Sequence, residues 1–143
     1  MTTAREVSLL VDLFKEKDRN QDLLLYNCTS GYPVPFKDVC LLEINKLKDK
    51  FGDSVKQIGF SGHHLGIAVD VAAFTLGASV VERHFTLDRT WRGTDHAASL
   101  EPAGLRKLNR DLWAVYDALS YKEKDILDIE AVQREKLKFT PKR

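Results

Sequence analysis

The chain has no apolar run near the roughly 20 residues that a membrane-spanning helix needs. It also has no charged-then-apolar leader, opening instead Met1-Thr2-Thr3-Ala4-Arg5-Glu6. Cysteine is scarce, with two among 143 residues. That excludes a disulfide-stapled framework and predicts reduced thiols in a cytoplasmic setting. Cys28, at a strand end, and Cys40, in a helix, each read as a small buried hydrophobe. Neither sign of charge dominates: 22 basic and 21 acidic side chains leave a net charge of +1. No electrostatic case for a nucleic-acid or membrane partner follows. Low-complexity segments are missing, as are a Walker-type loop, a GxGxxG pattern, a CxxC pair and a Ser/His/Asp order. What remains, 43% hydrophobic and 30% charged, suits one globular domain with a real core.

Hydrophobic periodicity orders that domain. Residues 3–18 predict a helix, with Val7, Leu10, Val11 and Phe14 on one face and Thr3 with Glu6 as a capping box. Leu23 to Cys28 is a continuous apolar run, as in a strand buried on both faces. Gly31, Pro33 and Pro35 force a loop after it. Residues 36–51 predict an amphipathic helix with Val39, Leu42, Leu47 and Phe51 inward and Gly52 as its stop. Strand 56–61 and helix 66–76 follow, then strand 78–84, a long loop 86–100 and helix 102–119. Pro102 suits that last helix's first turn. Leu105, Leu108, Leu112, Val115, Tyr116 and Leu119 form its core stripe. Residues 121–143 read as a charged linker or a weakly docked helix. Alternating strands and helices with apolar strands predict a parallel α/β layer. The loops after the strands carry the polar residues, which points to function at the carboxyl edge.

Two histidines end two of the strands. Alternation puts Gly59, Ser61 and His63 on one face, and Val80, Glu82 and His84 on one face. Two neutral imidazoles at one edge are a candidate divalent-metal site. A bland reading competes, with Glu82 paired to a basic side chain and His84 a satisfied core imidazole. His64 reads as a solvent-facing or capping residue ahead of the next helix. Ser61 suits either a turn or a phosphate or carboxylate contact. Loop 86–100 is long and polar, as binding loops are. Within it, Asp95 reads as an Asx-turn residue or as an acceptor for sugar hydroxyls. Arg89 and Arg92 either meet an anion or stay solvated.

Four segments together resemble the sialic acid synthase family. They are Asn27-Cys28-Thr29-Ser30-Gly31-Tyr32-Pro33, Gly59-Phe60-Ser61-Gly62-His63, Glu82-Arg83-His84-Phe85-Thr86-Leu87-Asp88 and Gly93-Thr94-Asp95-His96-Ala97-Ala98-Ser99-Leu100-Glu101-Pro102. Such enzymes condense phosphoenolpyruvate with an N-acetylhexosamine or its 6-phosphate to make nonulosonic acids. The resemblance covers residues 1 to about 119 and implies the later part of a (β/α)8 barrel, from the fifth helix to the eighth βα unit. It implies His63 and His84 as catalytic and metal-ligating, for Mn2+ or Mg2+. It implies that Ser30 and Ser61 contact phosphoenolpyruvate and that Tyr32 and Asp95 contact the sugar.

Two positions depart from common members: Gly62, where the bacterial form has Asp, and Ser30, where some have Asn. The Ser-Gly-His version, with Thr90-Trp91-Arg92-Gly93, resembles the branch that uses the 6-phosphorylated sugar. A full barrel takes roughly 250 residues. The expectation is therefore residues 1–120 as the later barrel, 121–143 as a tail, and no antifreeze-like domain. Alone, such a chain is expected to be catalytically silent, acting as a homo-oligomer or with the missing barrel half. The competing readings are a non-catalytic binding or assembly partner, a legionaminate- or pseudaminate-type synthase, and another two-histidine barrel enzyme such as an aldolase or isomerase.

Overall fold

A computed structural model describes residues 1–139; residues 140–143 of the charged tail lie outside the described residues. Helix α1 (Ala4–Glu16) opens on the expected capping box, in which Thr3 and Glu6 bond reciprocally. Strand β1 (Leu24–Cys28), helix α2 (Glu43–Phe51), strand β2 (Gln57–Gly62), helix α3 (Ala68–Thr75), strand β3 (Val80–Arg83) and helix α4 (Pro102–Ala118) follow. Helix α5 (Asp128–Leu137) closes the described chain, with Ile129, Val132 and Leu137 exposed. The strands form one parallel sheet in the order β1-β2-β3. No described helix is long and apolar enough to cross a membrane.

The sheet has two unlike faces. Leu25, Ile58 and Phe60 point to the helix layer and join Val11 of α1, Ile44 and Phe51 of α2, and Ala73 of α3 in the core. Each of these side chains larger than alanine stabilises the fold by about 1.5–3 kcal/mol through burial. The other face carries Tyr26, Cys28, Gln57 and Glu82, all exposed among the described residues. Register pairs Tyr26 with Gly59, and Gly59 with Val80. A Cβ at Gly59 would lie 2.7 Å from the Tyr26 ring and 2.9 Å from the Val80 carbonyl oxygen. Glycine is what lets that ring lie across β2.

Several expectations fail locally. β1 is buried on alternate residues rather than on both faces. Helix 36–51 is broken into a 3-10 turn at Phe36–Asp38 and α2, with Cys40 between them at φ +53°. At the break the Cys40 carbonyl accepts from both the Glu43 N–H at 3.0 Å and Nδ2 of buried Asn27 at 3.3 Å. Leu42, just past the break, is exposed. Both cysteines are unpaired and exposed rather than buried, Cys28 on the open face and Cys40 at the break. In α4 only Leu108 is fully buried, while Leu105, Tyr116 and Leu119 face outward. The Tyr116 ring stands edge-on to Trp113, itself exposed, with centroids 5.6 Å apart.

Candidate functional site

The strand ladder ends at the pair Gly62 and Arg83, and the next residue on each chain segment leads into the site. Alternation carries His63 to the side of Gly59 and Ser61, and His84 to the side of Glu82. The two imidazoles meet edge-on, with ring centroids 4.9 Å apart and planes at 90°. The Tyr32 ring packs on both, 4.6 Å from His63 and 5.5 Å from His84. Asp95 Oδ2 lies 3.5 Å from His84 Nδ1.

Backbone and loop contacts hold these groups. The Val34 N–H donates to the His63 carbonyl at 3.0 Å, and the Leu100 N–H to the His84 carbonyl at 2.8 Å. His63 Nδ1 lies 2.9 Å from the Thr29 carbonyl oxygen. A carbonyl only accepts, so Nδ1 is the donor in this contact, and in a neutral imidazole the lone pair is then on Nε2. This orienting bond is the kind that prepares a histidine for a metal. His63 is 5% exposed, whereas the His84 side chain is 27% exposed and Asp95's 48%.

Asp95 makes no capping bond to the turn after it. Its Oδ1 accepts from the Thr94 hydroxyl at 2.7 Å. Ser61 is buried on β2, one alternation step before His63, and Ser30 is exposed beside Thr29. Four of the expected residues, His63, His84, Tyr32 and Asp95, thus converge, with the two serines on adjoining segments. Among the described residues no group of three or more His, Cys, Asp or Glu side chains is arranged to hold a metal ion. An ion placed there would meet a pair of imidazoles, with most of its shell left to oxygens from water or ligand.

Comparison with known proteins settles the family. Residues 1–124 match the NeuB family profile. The chain belongs to the NeuB family. It is 44% identical over 137 residues to the N-acetylneuraminate-9-phosphate synthase of Homo sapiens, covering 96% of this chain and 36% of that protein. It is 41% identical over 107 residues to an N,N'-diacetyllegionaminic acid synthase of Campylobacter jejuni, covering 75% of this chain and 31% of that one. The crystal structure of an N-acetylneuraminic acid synthetase from Leptospira borgpetersenii, in complex with citrate, superposes with a TM-score of 0.78 at 32% identity. That match covers 95% of this chain and 46% of the other. The chain spans about a third of the length of the curated NeuB relatives it matches.

Other side chains of this NeuB-family edge differ from expectation. His64 is no surface residue: it is fully buried beside Asp70 of α3 and Arg83 of β3. Its place follows from alternation, since the residue after an open-face His63 turns to the helix side. Arg83 Nη1 donates to Asp70 Oδ2 at 2.5 Å and to the Gly66 carbonyl at 2.8 Å. Glu82, whose pairing with a basic group was one alternative, is exposed and forms no salt bridge among the described residues. The sequence does signal this cluster: Asp70 is the single charge in the apolar stretch Ala68-Val69-Asp70-Val71-Ala72-Ala73, and a lone carboxylate there needs a buried partner.

Loop 86–100 is tied down by its own polar groups. The Thr86 hydroxyl lies 2.9 Å from His96 Nδ1. Arg89 donates to the Ala97 carbonyl through both Nε and Nη2 while remaining exposed to solvent. The hydroxyl and then the backbone N–H of Thr90 donate to Asp88, holding its carboxyl below the ordinary aspartate range.

Proposed function

We propose that this chain supplies the metal-holding carboxyl edge of a nonulosonic acid synthase, as the later part of a (β/α)8 barrel. The reaction is condensation of phosphoenolpyruvate with N-acetylmannosamine or its 6-phosphate, in the cytoplasm. One observation carries the reading: His63, His84, Tyr32 and Asp95 meet at a single sheet edge, in a chain whose relatives are named as such synthases.

His63, through Nε2, and His84 would hold Mn2+ or Mg2+. When bound, that ion supplies Lewis acidity toward the aldehyde oxygen of the open-chain sugar. Tyr32 and Asp95 orient the sugar through its hydroxyls, Asp95 as an acceptor. Ser30 and Ser61 donate hydroxyl hydrogen bonds to the phosphate or carboxylate of phosphoenolpyruvate. The enol carbon then attacks the aldehyde carbon, water adds at the cationic C2, and phosphate leaves. The open sheet face and the strand edges of β1 and β3 take the rest of the barrel, either from further sequence or from a second polypeptide. Residues 1–120 are the barrel part, and the segment after them is a tail.

The test is phosphate release from phosphoenolpyruvate with N-acetylmannosamine 6-phosphate and Mn2+. The 143-residue chain alone releases none. A chimera in which it replaces the matching segment of the human relative releases one phosphate per nonulosonic acid formed, and His63→Ala abolishes this. A folded, metal-binding chimera with no release overturns the reading.

A further inference from the structure

We propose that Arg83, anchored on Asp70, is a positioning residue that sets the spacing of the His63–His84 pair. The proposal rests on the reading of that pair as a divalent-metal site.

The parallel ladder between β2 and β3 stops at Gly62 and Arg83. Beyond it no β-ladder pairing joins the two segments, yet the imidazoles that follow sit 4.9 Å apart. The Arg83 side chain spans this gap from the opposite face. Nη2 donates to the His64 carbonyl at 2.7 Å and to the Ala98 carbonyl at 3.2 Å, and Nη1 to the Gly66 carbonyl at 2.8 Å. Nη1 also lies 3.3 Å from His64 Nε2. One guanidinium therefore holds the residue after His63 and the loop that returns past His84. It is itself attached to the residue before His84. A rigid planar fork suits this, because its donors keep fixed mutual angles.

Asp70 holds the guanidinium from α3. Both side chains are sealed, at 2% exposure for Arg83 and 0% for Asp70. Gly62 makes the room: a Cβ there would come within 2.9 Å of Asp70 Oδ1, His64 Cε1 and Phe60 Cε1. Arg83 Nε, Asp70 Oδ1 and His64 Nδ1 find no partner among the described residues. A cluster kept for stability alone would be expected to satisfy them, or to be apolar.

The test reads geometry without metal and affinity with it. In the metal-free parent, a nuclear Overhauser effect connects the ring protons of His63 and His84, and Mn2+ binds. The double variant Asp70→Leu with Arg83→Met removes both charges together and retains a dispersed amide spectrum. In it the ring-to-ring effect is lost and Mn2+ affinity falls about 10–100-fold. Arg83→Lys keeps the cation but not the fork, and shows the same loss in smaller measure. It decides the matter if the double variant does not fold. Parent-level ring contact and affinity in a folded variant overturn the positioning role and leave the metal pair standing. A parent with neither ring contact nor Mn2+ binding overturns both.

Discussion

His64, Asp70 and Arg83 lie on the helix-covered side of the sheet, and His63, His84, Tyr32 and Asp95 lie one residue away on the open side. The first set is sealed and directs its hydrogen bonds at itself and at loop carbonyls. The second set presents an imidazole 27% exposed and a carboxylate 48% exposed, beside a His63 ring bonded to the protein through Nδ1. A strand's two-residue period separates the two chemistries, so adjacent residues serve different ends. The covered face uses polarity to fix the backbone. The open face bonds only part of its polarity to the protein, and its exposed groups are within reach of a ligand.

Substitutions that strike each side separately sharpen that contrast. Asp70→Leu leaves the Arg83 cation buried and alone, and lowers stability by about 3–5 kcal/mol in urea unfolding. Adding Arg83→Met restores most of it, because a buried pair removed together is close to neutral. A single-variant loss below about 1 kcal/mol would break the comparison at its covered side. His64→Ala strips Arg83 of a contact in the same cluster and costs about 1–3 kcal/mol. Gly62→Ala forces a Cβ into contacts of 2.9 Å, and overpacking of this kind costs about 1–3 kcal/mol. His84→Ala, on the open side, removes a ring 27% exposed that packs on His63 and Tyr32, and costs about 1 kcal/mol or less.

The smallest effect concerns Asp88, whose carboxyl is held low by the Thr90 hydroxyl and then the Thr90 N–H. A depressed acid contributes stability above its ordinary pKa and loses it as pH falls through the lowered value. Protection of the Thr90 amide from hydrogen exchange therefore persists through the ordinary aspartate range and disappears below it. Loss within that range contradicts the assignment.

Much of this was legible in the sequence. The βα order, the capping box of Thr3 and Glu6, and Pro102 at the start of α4 all rest on local signals, and the structure carries each of them. Alternation alone sent His63 and His84 toward one side. The break at Cys40 was not legible, because Val39 and Leu47 keep a helical spacing across it. The contact that accompanies it comes from Asn27, 13 residues earlier, and no local pattern carries that. For His64 the sequence carries a signal in Asp70, the lone charge of an apolar helix, but it does not name His64 and Arg83, on two other elements, as the partners. The sequence leaves Asp95 open between a turn and an acceptor, and only the missing side-chain cap bond and the approach to His84 distinguish these.

The central claim is that His63 and His84 together hold a divalent cation. Calorimetric titration with Mn2+ of the parent, His63→Ala and His84→Ala tests it most directly, with unfolding curves to show that each variant is intact. The account predicts one site in the parent and loss of it in either variant. Parent-like Mn2+ binding by both folded variants would contradict it.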